Sequence, residues 1–103
     1  MGLTADIAAS EKLNVVRFGS LELVAWCDMA SLLRAAESRN VAILGLEGFK
    51  IGTSSVSPDM AAIADFSDVP RGNARVIETC AAARRFLAEV SSKQLHFDIV
   101  WEE

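Results

Sequence analysis

Hydrophobic residues alternate with polar ones near the beginning of the chain and again at its end. The runs LNVVRF (13–18) and LELVAW (21–26) are separated by Gly19-Ser20, which predicts a two-residue β-hairpin whose glycine adopts positive φ. A second interpretation makes Ser20 the N-cap of a helix that starts at residue 21. Residues 20–27 are therefore predicted as either strand or helix.

Two later stretches have the spacing of amphipathic helices. Between residues 28 and 39, polar residues recur every three or four positions and leave an apolar side for the core. Residues 74–91 repeat this pattern, with Asn73 as the predicted N-cap. The side of this helix predicted to face the core consists of Val76, Ile77, Cys80, Ala83, Phe86, Leu87 and Val90. Residues 1–11 carry weak signals and predict either one helical turn or a flexible N-terminal tail.

The middle of the chain combines a buried strand with turn signals. The run VAILGL opens a strand over 41–51 and is typical of a strand buried on both faces. A turn at 52–54 and a short return strand at 55–57 complete a second predicted hairpin. Ser57-Pro58-Asp59 then predicts a short helix over 58–64, with Ser as N-cap and Pro at the first helical position.

The final run, LHFDIVW (95–101), alternates as a strand and so places two sets of residues on opposite faces. One set is Leu95, Phe97, Ile99 and Trp101, and the other is His96, Asp98 and Val100. Hairpin-forming strands together with two substantial helices predict an α+β fold, a two-layer sandwich with a mostly antiparallel sheet and helices packed on one face. The patterns do not determine the order of the strands.

Length and composition limit the class of protein. A chain of 103 residues fits a single domain over 1–103. Cys27 and Cys80 lack C-x-x-C spacing, which argues against a disulfide scaffold or a redox motif and favours a reducing compartment. The longest apolar stretch, 21–36, is interrupted by charges, and the N-terminal residues show no secretory signal. We therefore expect a cytoplasmic protein without a membrane partner.

Acidic residues are concentrated in the middle of the chain. The net charge is −4, and residues 41–70 contribute four acids and one base. These acids are Glu47, Asp59, Asp65 and Asp68. Their spacing matches no calcium loop, so no metal site is predicted, and the lack of basic clusters argues against nucleic acid. The four acids predict an acidic surface at 47–68 for a protein partner, one that would be basic.

Glu47 is the most informative single residue, because it ends a predicted buried strand between Gly45 and Gly48. These glycines leave room for a ligand or a second backbone. Burying an isolated carboxylate costs several kcal/mol unless it is paired or protonated. Glu47 is therefore a candidate general base; the alternative is a structural carboxylate that pairs with an arginine or accepts backbone hydrogen bonds.

His96 is the second catalytic candidate, since Asp98 lies on the same predicted face and can support its imidazole. No Ser or Cys occurs in a nucleophile motif, and the glycines at 45 and 48 form neither a P-loop nor a dinucleotide fingerprint. The sequence therefore predicts no cofactor. One alternative function is a small cytosolic enzyme that uses Glu47 as general base near His96.

The runs AILGLEGF and PDMAAIADFSD resemble parts of small single-domain bacterial proteins of uncharacterised function, some of them toxin-immunity-like. The resemblance covers about residues 41–68 and implies an acidic face that mimics nucleic acid against a basic toxin. It implies no residue roles. The favoured hypothesis is a non-enzymatic immunity- or regulator-like binding domain. A structural homodimer is a further alternative, because a small alanine-rich core with unpaired sheet edges favours symmetric association.

Overall fold

The computed structural model describes residues 2–90 and 92–102, and within them it contains three α-helices and five strands. The elements in chain order are α1 (Leu3–Glu11), β1 (Val15–Phe18), β2 (Leu21–Ala25), a 3-10 turn (Trp26–Asp28), α2 (Met29–Ser38), β3 (Ile43–Ile51), β4 (Val56–Asp65), α3 (Arg75–Glu89) and β5 (His96–Trp101). The strands form one antiparallel sheet in the order β1-β2-β5-β3-β4. The helices pack on one face of this sheet, which confirms the predicted α+β two-layer fold.

The first hairpin resolves the alternative for residues 20–27. Phe18 pairs with Leu21 across Gly19-Ser20, and Gly19 has a φ of +61°. The two-residue turn therefore forms as predicted, because glycine adopts this φ without strain. The chain remains a strand to Ala25 and becomes α-helical only from Met29.

The N-terminal segment, predicted as either one helical turn or a flexible tail, forms the helix α1. Ile7 of this helix is fully buried in the core. Thr4 is also buried, and its hydroxyl accepts a 2.9 Å hydrogen bond from the indole N–H of Trp101 on β5. Packing of an apolar side chain thus compensates for the weak helical signals of this segment.

The predicted short helix over 58–64 is wrong, because these residues belong to the edge strand β4. Pro58 pairs with Phe49 of β3, and at a sheet edge its missing N–H removes no hydrogen bond that the ladder needs. The register then shifts over 59–62, where the carboxylate of Asp59 accepts a 3.0 Å hydrogen bond from the N–H of Ala61. Ser-Pro-Asp therefore marks a bulged edge strand instead of a helix start.

The start of α3 also differs from the prediction. Ala74 is the N-cap and provides no side-chain hydrogen bond, so Asn73 does not cap this helix. Ile77 points to solvent, with 64% of its surface exposed, while Arg75 and Thr79 are buried in its place. The Thr79 hydroxyl accepts a hydrogen bond from the backbone N–H of Ile43 at 3.3 Å, which fixes the helix against β3. These two polar anchors set a helix rotation that apolar spacing does not reveal.

The core lies between the helices and one face of the sheet. Val24, Leu46, Phe97 and Ile99 of the strands meet Leu32, Leu33, Cys80 and Leu87 of the helices. The predicted alternation of β5 is confirmed, because Phe97 and Ile99 face this core whereas His96 and Asp98 pair with β3 residues on the other side. Among residues 2–90 and 92–102, no helix has the length and apolar character required to cross a membrane.

Candidate functional site

The sheet face opposite the helices is the candidate site, and we call it the open face. Paired residues of neighbouring antiparallel strands project to the same side, so the register identifies its members. Its polar residues are Glu47, Asp65, His96 and Asp98. Its large apolar residues are Val16, Phe18, Leu21, Leu23, Phe49, Ile51, Val56, Ile63 and Val100. No strand residue on this face is a lysine or an arginine, in the part of the chain that is described.

The open face carries large apolar side chains that are exposed to solvent. Four of the exposed large hydrophobic residues lie on it, with 39% to 48% of their surface accessible: Phe18, Ile51, Ile63 and Val100. Leu23 and Phe49 are buried on the same face although no helix covers them. The face is thus a partly buried apolar layer that lacks a second layer above it, which is typical of an interaction surface.

At the centre of this face, two carboxylates lie directly opposite each other. Glu47 on β3 pairs with Asp98 on β5, and both side chains are half-buried. Burial, followed by the charge of Glu47 and then the smaller effect of the charge of Glu22, raises the pKa of Asp98 above its ordinary value. Within residues 2–90 and 92–102, neither Glu47 nor Asp98 forms an ion pair. Like charges placed opposite each other in a sheet are destabilising, so this pair lowers the stability of the isolated domain.

His96 lies on the open face beside the carboxylate pair. It pairs with Phe49 of β3, two residues along from the Glu47–Asp98 pair, so it is a diagonal neighbour of Glu47. Its Nδ1 is buried and has no hydrogen-bond partner among the described residues. Glu47 and His96, the two residues of the catalytic alternative, thus lie on one face of the sheet. The face is open, however, whereas catalytic sites are normally concave and exclude water.

The loop acids predicted as the partner surface are spread over three settings. Asp65 lies at the end of β4 on the open face, where it accepts a 2.9 Å hydrogen bond from the Ser67 N–H. Hydrogen bonds from Ser67 lower the pKa of this carboxyl. Asp59 lies in the β4 bulge and bonds the Ala61 amide, and Asp68 is an exposed loop residue beyond β4. Local turns thus engage two of these three acids, and only Asp65 shares a face with Glu47.

Asp98 is a candidate site residue that the sequence placed only beside His96 and not opposite Glu47. Its alternation with His96 was visible, but its position opposite Glu47 depends on the pairing of β5 with β3, strands that are far apart in sequence. The strand order places β5, the last strand, in the centre of the sheet between β2 and β3. The pairing of β5 with β3 brings the two acids together.

The glycines beside Glu47 serve strand packing, and the room that they leave is already filled. A Cβ on Gly48 would lie 2.7 Å from the Ala62 Cβ and 3.3 Å from the Phe97 ring, and one on Gly45 would lie 2.8 Å from the Ala64 carbonyl oxygen. Both glycines therefore permit the close approach of neighbouring structure. A ligand at Glu47 would approach from the open face.

Charged residues also cluster on the helical side, where they have internal partners. Arg75 is buried, and its Nε donates 3.0 Å hydrogen bonds to both carboxylate oxygens of Glu102. With Arg71, Asn40 and Asn73, these residues line an open polar cavity of about 360 Å³. Because the carboxylate joins the start of α3 to the end of β5, we interpret this cluster as a structural brace.

The cysteines are free thiols, one exposed (Cys27) and one buried (Cys80). Burial raises the pKa of the Cys80 thiol to about 11, so it stays protonated and packs as a small apolar group. Among the described residues, no three His, Cys, Asp or Glu side chains converge as a metal site would require.

Comparisons of this chain with protein-family models, with curated proteins and with solved structures give no match. The geometry of the open face is therefore the basis for assigning a function.

Proposed function

We propose that this domain is a non-enzymatic binding domain that holds a protein partner on its open face. The observation that carries the proposal is the presence of Phe18, Ile51, Ile63 and Val100, all exposed, on the one sheet face without helices. An apolar patch of this kind is typical of a surface that a partner covers. The proposal keeps the protein-binding function expected from the sequence, but it assigns binding to the open face of the sheet instead of to the loop acids.

The composition of the open face supports a regulator- or immunity-like role more than a purely structural one. A permanent subunit interface is strongly apolar and resembles a divided core. The open face instead holds Glu47, Asp98 and His96 at its centre, and polar and charged groups at such positions contribute specificity and faster association. The free thiols of Cys27 and Cys80 are compatible with a reducing compartment, which supports the expected cytoplasmic location.

The proposal is tested by selecting binding peptides from a random display library against the purified domain. The affinities of individual synthetic peptides are then measured with the wild-type chain and two variants. Ile63→Asp places a charge on the open face, and Ile77→Asp places the same charge on α3. Both isoleucines are well exposed, which makes the second variant a matched control for folding and net charge.

We expect Ile63→Asp to weaken peptide binding by more than about tenfold, because a charge would have to be buried without a partner. Ile77→Asp should leave the affinity unchanged. Peptides that bind Ile63→Asp as tightly as the wild type, or a library that yields no binder, would contradict the proposal.

A further inference from the structure

The partly buried acids of this domain differ in whether the chain supplies their counter-charge. Three partly exposed glutamates on or near the helical side each pair with an arginine. These pairs are Glu22 with Arg17, Glu37 with Arg84, and Glu102 with Arg75 and Arg71. Asp28, Glu47, Asp59 and Asp98 are half-buried to a similar degree and have no such pair among the described residues; of these four, only Glu47 and Asp98 lie directly opposite each other in the sheet. The described residues therefore supply no positive charge to neutralise the two carboxylates at the centre of the open face.

We infer that the partner inserts an arginine side chain between Glu47 and Asp98, and this inference rests on the proposed function of the open face. Side chains that are directly opposite in an antiparallel sheet have Cβ atoms about 5 Å apart. One planar guanidinium, with five N–H donors, can bond two carboxylates at that separation. The raised pKa of Asp98 agrees with this arrangement, since a bound cation would oppose both the burial and the repulsion that cause it.

The surroundings of the pair favour arginine over lysine. Ile63 lies beside Glu47 on β4, and Phe49 lies two residues along β3 on the same face. An apolar wall such as the exposed Ile63 side chain suits the weakly hydrated guanidinium better than the strongly hydrated ammonium of lysine. The partner residue is thus expected to lie in an apolar patch that covers Ile63 and Val100, which are both exposed.

A second copy of this chain would not supply a positive charge to Glu47 and Asp98 from its own open face. The strand residues of the open face, where described, include no lysine or arginine. Two open faces that met symmetrically around the carboxylate pair would bring together four acids, which is unfavourable without a bound cation. The charge pattern therefore favours a different protein over self-association.

The experiment repeats the display selection on the wild-type domain and on the double variant Glu47→Gln/Asp98→Asn, with Glu78→Gln/Glu89→Gln as the matched control. Both control glutamates are exposed on α3, so the control removes the same charge from the opposite layer. Selected peptides are then synthesised with arginine, lysine or the neutral isostere citrulline at the enriched position, and their affinities are measured by calorimetry.

We expect arginine to be enriched in peptides selected on the wild type and on the control, but not on Glu47→Gln/Asp98→Asn. Citrulline, or the double variant, should weaken binding at least roughly tenfold, as expected for charge-assisted hydrogen bonds. Lysine should give an intermediate affinity. Wild-type methyl shifts of the buried Ile7 and Leu87 in the free variants would show that both fold.

Any of three results would overturn the inference. If citrulline binds as well as arginine while Ile63→Asp still abolishes binding, the open face is the binding surface but arginine is not what it recognises. If the free domain is a dimer that peptide dissociates, the second copy is the occupant. If neither citrulline nor Ile63→Asp weakens binding, the proposed function is wrong as well. The effect of Ile63→Asp therefore separates a failure of the arginine inference from a failure of the proposed function.

Discussion

Glu47 and Asp98 lie opposite each other on the neighbouring strands β3 and β5, and no arginine or lysine among the described residues forms an ion pair with either of them. Such a pair lowers the stability of the free domain, because each charge disfavours the other and burial disfavours the ionised form of Asp98. Sites that are unfavourable to the free fold are often the sites that a ligand completes. The stability of the domain and its proposed binding should therefore respond to this pair in opposite directions.

Asp98→Asn is expected to stabilise the free domain at neutral pH. The pKa of Asp98 is raised in the folded state, so between the unfolded and folded pKa values the folded chain binds more protons than the unfolded chain. The wild type therefore loses stability as pH rises through that window, and the variant does not. In urea unfolding at about pH 7 the variant should need more denaturant than the wild type, and the difference should vanish below about pH 3. A variant that is less stable at neutral pH would contradict the raised pKa.

The contact between the start of α3 and the end of β5 should be sensitive to charge removal. Glu102→Gln leaves the buried guanidinium of Arg75 without its counter-ion, and we expect it to lower the free energy of unfolding by about 2 kcal/mol. The control is Arg71→Ala, whose side chain is 87% exposed and lies 3.7 Å from the same carboxylate. It should cost less than about 0.5 kcal/mol. Equal effects of the two variants in urea unfolding would count against the brace.

The close approach of β4 to β3 makes Gly48 a sensitive position. Gly48→Ala would place a methyl group 2.7 Å from the Ala62 Cβ, and the strain should lower the free energy of unfolding by about 1–3 kcal/mol. Gly52→Ala is the control, because its nearest neighbour is an ordinary 3.4 Å contact with Ser55. If Gly48→Ala has a melting temperature equal to that of the wild type, the strands are not packed as closely as described.

Burial of Ile7 gives a direct test of the N-terminal helix. Ile7→Ala removes a fully buried side chain from the core and should cost about 2–4 kcal/mol of unfolding free energy. Asp6→Ala, an exposed neighbour on α1, should change stability by less than about 0.5 kcal/mol. A flexible tail would instead make both substitutions neutral in thermal unfolding.

Local patterns predicted most of the fold. The alternation of β5, the Gly19 turn and the apolar side of α2 each follow from spacing over a few residues, and each is present. The exceptions depend on distant contacts. The segment at Pro58 becomes a strand because β3 pairs with it. Ile77 faces solvent because Arg75 and Thr79 are buried instead, with hydrogen bonds to Glu102 and Ile43.

The candidate site shows the same division between local and distant information. Glu47 stands out in the sequence as a carboxylate at the end of an apolar run, and His96 and Asp98 share a face by simple alternation. That all three share one uncovered face requires β5 to lie beside β3, which spacing cannot specify. The number of acids at 59–68 predicts a shared surface, but local turn chemistry explains Asp59 and Asp65.

The most direct test of the open face is the methyl NMR spectrum of the domain, labelled on Ile, Leu and Val, during titration with a selected peptide. Methyl groups report on the two faces of the sheet separately, because Ile51, Ile63 and Val100 lie on the open face whereas Ile7, Ile77 and Leu87 belong to the helical layer. We expect the largest shifts at the first three, with little change at the others. Shifts concentrated at Ile77 and Leu87, with Ile63 and Val100 unmoved, would contradict the account.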